Sequence, residues 1–541
     1  MDSRARTAAA WAATTAVWLL GSVAVAPLAG GHPLAVAAQV VVESAPGSVA
    51  TLAIETLGAA AQPTLMAAIA VATVGMAAAI ATVVHESEPN RRQERLVVRG
   101  VAASVVGLTA LGFSAASNGP LWRWLLATAL ALLAPAVFAL LGSAPRRTVG
   151  RRTHLRTVGG AVGTVAGAAL VARSFGPSAS GSGPDPGESL DAVAQKRDQG
   201  TTTPDSGRTA TRRPGPTATP VADRGVVETR NTTRGVVVSV ADTDAAFGYD
   251  FDGMPAAVGT ADDHYVVDKA VSNPSVDAGR WSLSIRGAVE ASDELDLSAL
   301  VTHPEARDMT ITTACISNEV GGDLISTVEW RVIPVRALLQ EAGVAGPAVD
   351  VVTRAADGYT EAVPWDLVRE REDVVIAVGM DGRTLPTAHG FPARLLVPGR
   401  YGMKSTKWVE AIEVSAADHE AYWEARGWDE EAVVNTLSYV RAVQRRGDRV
   451  AVGGVAYAGR RGVDRVEVSL DGGTSWTDAT LEAPPSPHAW RRFRSVTERP
   501  DSGPADVVVR ATDGTGERQT RRRSGPHPGG STGWHRVTVS V

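Results

Sequence analysis

Five apolar stretches constrain this chain more than any other feature. They run over about 9–29, 62–84, 98–116, 122–142 and 156–173. A bilayer-spanning helix takes ~20 residues, range ~17–25, so each stretch is predicted to cross a membrane as a helix. The region 36–58 is also apolar but holds Glu43, Pro46 and Glu55, and reads as an interfacial or cavity-facing element. Arginines set the orientation. Arg4 and Arg6 precede the first span, the segment 30–61 has no Lys or Arg, and "EPNRRQERLVVR" (88–99) and "PRRTVGRRTHLR" (145–156) are basic. Positive loops stay in the cytoplasm, so everything after residue 173 is expected outside. Arg151-Arg152 before a Gly/Ala-rich span also fits a twin-arginine export signal, although a plain positive-inside loop explains the same arginines. His32 and His85 sit at opposite ends of the spans, a poor arrangement for an intramembrane heme.

Beyond the spans the texture changes twice. Residues 174–234 are expected to be a flexible linker, because Ser, Thr, Pro and Gly dominate and too little apolar surface is available to offset the ordering entropy. From 235 to 430, β-like runs alternate with helix candidates at 333–344 and 419–428, which predicts a mixed α+β domain. From 431 to 541 only strands of alternating polarity remain, with Asp-Gly turns at 471–472 and 513–514. Trp476, Trp490 and Trp534 fall in or beside these strands and read as core. The expectation there is an immunoglobulin-like sandwich. A net charge of −5 and the lack of a broad basic face in the soluble part argue against a nucleic-acid partner.

Cys315, in "TTACISNEVGGD" (312–323), is the one cysteine of the chain. It follows the strand-like "MTITTA", where a loop at a strand end often carries reactive groups. The residue type leaves three readings open: inert core, nucleophile, or metal ligand. As a nucleophile it would need a base, for which His389 is best placed in sequence, giving a Cys/His hydrolase. The ligand reading gains from "HGFPARLLVPGRYGMKSTKWV" (389–409), where Arg394, Arg400, Lys404, Ser405 and Lys407 lie among glycines. Guanidinium, ammonium, hydroxyl and backbone N–H groups together suit a phosphate. Two of the four lysines of the chain fall here.

These blocks, with "LDGGTSW", "HAW", "ATDGTG" and "GWHRVTVSV", resemble the sulfite oxidase family of molybdopterin-dependent oxidoreductases, over about 255–541. The resemblance implies a molybdenum cofactor, with the metal held by one pterin dithiolene and by Cys315. Soft thiolate suits such a metal. It further implies pterin and phosphate contacts at His389, Arg394, Ser405, Thr406 and Lys407, with Tyr265, Asp268 and Lys269 in "HYVVDKAV" and Thr353 as additional cofactor contacts. The C-terminal sandwich is implied to form a homodimer.

The chain departs from the family pattern in the substrate pocket. Val267 stands where an arginine usually precedes Asn-His, and "YWEARGW" offers Arg426 and then Trp428 where a tyrosine is usual; His527 lies near "GWHRV". An oxyanion needs positive charge around it. The expected function is therefore membrane-anchored, molybdenum-dependent, two-electron oxygen-atom transfer on an oxyanion, S-oxide or N-oxide, with Arg426 and Trp428 as catalytic-pocket residues. The runner-up is a non-catalytic binding or sensing module that keeps the fold. No heme-domain pattern is present, so a separate electron partner, a cytochrome or the quinone pool, is implied.

Overall fold

The computed structural model describes residues 68–69, 183–201, 227–233, 235–241, 248–270, 273–498 and 503–540. The five expected spans, the 36–58 element, both arginine-rich loops and the twin-arginine motif lie outside the described residues, apart from Ala68 and Ile69, which are helical. Among the described residues no helix is long and apolar enough to cross a membrane. All elements below belong to one compact unit, Ser182–Asp268 with Val276–Val541; the short segment Lys269–Ser275 falls outside it.

The expected linker is not uniformly free. Helix α1 (Leu190–Thr201) lies inside it. Val193 is fully buried in the main core, with Leu190 packed beside it. The backbone ahead of α1 bonds to 382–384: Leu190 N donates to Gly382 O (3.1 Å) and Thr384 N to Glu188 O (2.7 Å). Averaged composition hides two apolar residues that are enough to dock one helical turn. Strands β1 (Val227–Thr233) and β2 (Val236–Ala241) form a hairpin. They also correct the expected boundaries, because β2 runs parallel to a strand of the C-terminal sandwich and not to the domain that follows it in sequence.

The mixed domain holds two five-stranded sheets. Its strands are β3 (Leu283–Gly287), β4 (Asp293–Leu295), β5 (Arg307–Ala314), β6 (Ile325–Pro334), β7 (Asp350–Ala355), β8 (Thr360–Pro364), β9 (Val375–Met380), β10 (Arg383–Thr384), β11 (Arg394–Leu396) and β12 (Val409–Ser415). One sheet orders β10-β9-β6-β5 with β11 on β9; the other orders β4-β3-β12-β7-β8. β9, "VIAVGM", is buried on both faces, as an unbroken apolar run requires. Helix α2 (Leu297–Val301) is capped by the Asp296 side chain. Helix α3 (Val335–Ala342) matches the expected 333–344 helix; Val335, Leu338, Leu339 and Ala342 form its buried stripe. Helix α4 (Trp365–Glu370) completes the set. The expected helix at 419–428 reduces to a single 3-10 turn, Glu424–Arg426. Trp428 N donates to Trp423 O (3.1 Å), and the two indoles stack at 4.1 Å. That contact needs the chain to close on itself, which a continuing helix would prevent.

The C-terminal strands are β13 (Leu437–Arg446), β14 (Arg449–Tyr457), β15 (Val463–Ser469), β16 (Thr477–Asp478), β17 (Thr480–Leu481), β18 (Arg491–Glu498), β19 (Ala505–Asp513) and β20 (His535–Val539). They make a six-stranded sheet, β1-β2-β13-β14-β18-β17, and a four-stranded sheet, β16-β15-β19-β20. Val440, Val452 and Phe493 of the first meet Val466, Val507 and Val537 of the second in one core, the sandwich that alternation implied. Of the three tryptophans, Trp490 is buried. Trp476 and Trp534 are half-buried and meet edge to face at 5.2 Å, with Arg510 over both rings. Phe493 is fully buried between the sheets, so Phe493→Ala should lower stability by about 3–5 kcal/mol. Urea unfolding followed by tryptophan fluorescence measures it.

Candidate active site

β5 ends at Ala314 and the chain turns at once. Cys315 N donates to Leu324 O (2.9 Å), and Asn318 N donates back to Cys315 O (3.1 Å). The thiol is buried, 2.9 Å from Ser317 Oγ. Burial pushes its pKa up, against the smaller pull of Ser317 and Lys407. A thiol that holds its proton is a poor nucleophile, which counts against the hydrolase reading.

The loop 315–324 is held by the sandwich. Arg441 of β13 reaches Gly321 O (3.0 Å), Gly322 O (2.7 Å) and Asp323 Oδ1 (2.9 Å) through its fork. Ser531 Oγ donates to Asn318 O (2.7 Å). Gly321 has φ 87° and packs against the His535 ring, where a Cβ would come within 2.4 Å of Nε2. No other residue fits there.

Around this loop the structure gathers a cationic, aromatic set. His264 stands 5.1 Å from both Tyr265 and His389 and 5.3 Å from Trp330, ring centre to ring centre. The Arg394 guanidinium lies 5.5 Å from the Trp330 ring centre. His389 Nε2 is 3.0 Å from Ala261 O. Lys407 Nζ donates to Asp268 Oδ2 (2.9 Å) and Ala388 O (2.8 Å). Tyr265 feels the charge of both Cys315 and Arg394, and burial raises its pKa far above the usual tyrosine range. Two glycines allow the close fit. A Cβ on Gly402 would sit 3.1 Å from Tyr265 Oη and 3.9 Å from Cys315 Cα; one on Gly390 would sit 3.1 Å from Lys407 Cα.

Charge does not balance here. Arg394 is buried, it makes a long hydrogen bond to His389 O (3.4 Å), and its Nε has no partner among the described residues. Among the described residues no carboxylate lies within ion-pair distance of it. Burying a guanidinium without a counter-charge costs several kcal/mol. His264 Nε2 and His389 Nδ1 are also buried without partners. Burial and the Arg394 charge hold His389 down to about 4, so its ring is neutral at physiological pH. Burial brings Lys407 down to about 8. Buried donors with nothing to bind, beside a lone thiol, describe a pocket built for an anionic ligand. This donor set fits a phosphate-bearing cofactor on one side and a metal–thiolate bond on the other.

The structure therefore brings together Cys315, Tyr265, Asp268, His389, Arg394 and Lys407. Thr406 is fully buried and bonds Thr353, Oγ1 to Oγ1, at 2.7 Å; Ser405 is buried beside it. Lys269 opens the segment counted outside this unit. Arg426 and Trp428 belong to a second cluster. Arg426 lies 3.7 Å over the Tyr422 ring, and Trp428 stacks between Trp423 and His527. Val266 and Val267 are exposed. Sequence reasoning missed His264, Trp330 and Arg441. His264 adjoins Tyr265 in the strip already singled out, whereas Trp330 and Arg441 carry no local signal.

Two family models match consecutive parts of the C-terminal half of this chain. The oxidoreductase molybdopterin binding domain covers residues 270–423, and the Mo-co oxidoreductase dimerisation domain covers 425–541. Among curated proteins, the NAD(P)H nitrate reductase of Hordeum vulgare is 28% identical over 291 residues, 42% of this chain and 32% of that protein. The NADH nitrate reductase of Solanum lycopersicum is 25% identical over 311 residues, 45% of this chain and 34% of that protein. The chain thus spans about a third of the length of these relatives. Among solved structures, the sulfane dehydrogenase SoxCD of Paracoccus pantotrophus matches with a TM-score of 0.44 and 24% identity, covering 50% of this chain and 81% of that one.

The pocket's charge makes a direct test possible. Lys407 carries its proton below about 8, so binding of inorganic pyrophosphate to the cofactor-free protein should weaken as pH rises through 8. Lys407→Met should remove that dependence. Arg394→Met should cost about 1.5–3 kcal/mol, the worth of a charged hydrogen bond. Isothermal titration calorimetry reads both.

Proposed function

This chain belongs to the sulfite oxidase family of molybdopterin-dependent oxidoreductases, and on that premise we propose that it catalyses two-electron oxygen-atom transfer at the outer face of a cell membrane. The observation that carries the site assignment is Arg394, a buried cation with no carboxylate within ion-pair distance among the described residues, in the pocket that also holds Cys315.

When bound, the molybdenum cofactor supplies the redox change and the oxygen exchange. The protein supplies position. Cys315 would give one thiolate from a loop clamped by Arg441. Arg394, Lys407 and the Ser405-Thr406 pair would hold the cofactor phosphate. His389, neutral at physiological pH, offers Nδ1 as a hydrogen-bonding group, and the Tyr265 hydroxyl stays protonated and able to donate. Trp330 and Trp408, both buried, keep water from the cations and so strengthen each contact.

The substrate is an oxyanion, S-oxide or N-oxide. The names of the plant relatives add nitrate to that class. Val266 and Val267, exposed beside Tyr265, make one side of the strip apolar; this favours a substrate less charged than sulfite, with Arg426 and Trp428 as its selectors. The sandwich supports a homodimer. Electrons pass to or from a separate cytochrome or quinone. Five apolar stretches and their flanking arginines support the membrane anchor, with the twin-arginine motif as a route of export.

Elemental analysis of the purified protein should find molybdenum, and Cys315→Ser should keep pterin while losing turnover. Metal-free, correctly matured wild type would sink the assignment. A screen of sulfite oxidation against nitrate, S-oxide and N-oxide reduction with redox dyes identifies the substrate. Alkaline carbonate washing should leave the full-length chain in the membrane pellet.

A further inference from the structure

Behind the site lies a buried cluster that the reading above does not use. Lys404 Nζ donates to Glu361 Oε1 (2.8 Å), to Ala362 O (3.0 Å) and to Glu424. The three side chains are 6%, 0% and 8% exposed. Two carboxylates and one ammonium leave one uncompensated negative charge if all three ionise. Tyr359 Oη lies 2.6 Å from Met403 O and 2.9 Å from Glu361 Oε2. A carbonyl can only accept, and a phenol has one proton to give. If that proton goes to Met403 O, the other contact needs a proton on Glu361 Oε2. Glu361 Oε1 already accepts from Lys404 and from Ala362 N (3.0 Å). One proton on Glu361 Oε2 satisfies both the charge balance and the direction of that hydrogen bond.

The cluster meets the active site through one turn. Gly402–Lys404 is a 3-10 turn whose first residue packs against Tyr265 and Cys315. Its second residue offers the carbonyl that Tyr359 holds, and its third is the lysine. Ser405, Thr406 and Lys407 follow directly.

We propose that Glu361 is a positioning residue: its neutral carboxylic acid, through Tyr359 and Lys404, fixes the Gly402–Lys404 turn against Cys315, and its ionisation loosens that turn. The importance given to the turn rests on the molybdopterin reading; the proton on Glu361 does not. Burial raises Glu361 to about 7, against the pull of Lys404 and Tyr359, with Glu424 adding to the rise. Asp357 acts on Tyr359 from the β7–β8 turn, and on the far side burial raises Asp350 of β7, with Asp418 and Glu424 adding to the rise. A carboxyl raised from its unfolded value near 4.5 binds its proton more tightly when folded. The neutral, turn-holding form therefore prevails below about 7 and is lost above it.

Infrared difference spectra of the full-length protein between pH 6 and pH 9 test the proton. A buried carboxylic-acid carbonyl band should disappear on raising the pH, with a midpoint near 7, and be absent in Glu361→Gln. Tyr359→Phe, a smaller change, should shift that midpoint by removing a hydrogen-bond partner of Glu361. No such band, a band that survives Glu361→Gln, or an unmoved midpoint in Tyr359→Phe overturns the proposal. These spectra are read with or without cofactor, so their failure is separate from a failure to find molybdenum. In the holoenzyme, the visible absorption of the cysteine–metal unit should change with pH in wild type and stay in its low-pH form in Glu361→Gln. An equal pH change in both overturns the positioning role.

Discussion

The loop 315–324 is short, polar and rich in glycine, and it cannot hold itself in place. Arg441 holds it. One guanidinium satisfies two of its carbonyls and a carboxylate, from a strand of the other domain. Without that grip the Cys315 thiol would have no fixed direction, and the carbonyls of Gly321 and Gly322 would lose buried partners. Ser531 and the His535 ring complete the hold. The sandwich is therefore part of the site, whatever else it does between subunits.

Three of the four basic residues of the 394–407 segment, Arg400 aside, are sorted by what faces them. Lys404 meets two buried carboxylates, Lys407 meets one, and Arg394 meets none. Only the last is left for an external anion, with Lys407 partly so. The first is tied inward and shapes the backbone. Three cations that look alike along the chain thus do three different things, because burial makes each count its own neighbours.

Much of the site was legible in one dimension. The strand-then-cysteine pattern placed Cys315 at the end of β5, and the basic strip placed His389, Arg394 and Lys407 in its company. Thr353 reaches Thr406. Other features were not legible. Composition averaging hid α1 inside a Ser/Pro-rich segment. The helical pattern at 419–428 gave way to a stack between Trp423 and Trp428, a tertiary contact that outweighs propensity. β2 joins the sandwich across some 200 residues of chain, and no local pattern announces such a pairing.

By itself the sequence determined the composition of the parts: apolar runs long enough for a bilayer, alternation for a sandwich, one thiol, and a phosphate-suited strip. These depend on residue type and spacing, which a chain carries wherever it goes. Only the tertiary structure decided which charge is paired. That Arg394 lacks a carboxylate, that Lys404 has two, and that Glu361 shares a tyrosine with a backbone carbonyl are facts about side chains brought together from distant strands. Electrostatic balance is set over a few ångströms of space, and neighbours in space are not neighbours in sequence.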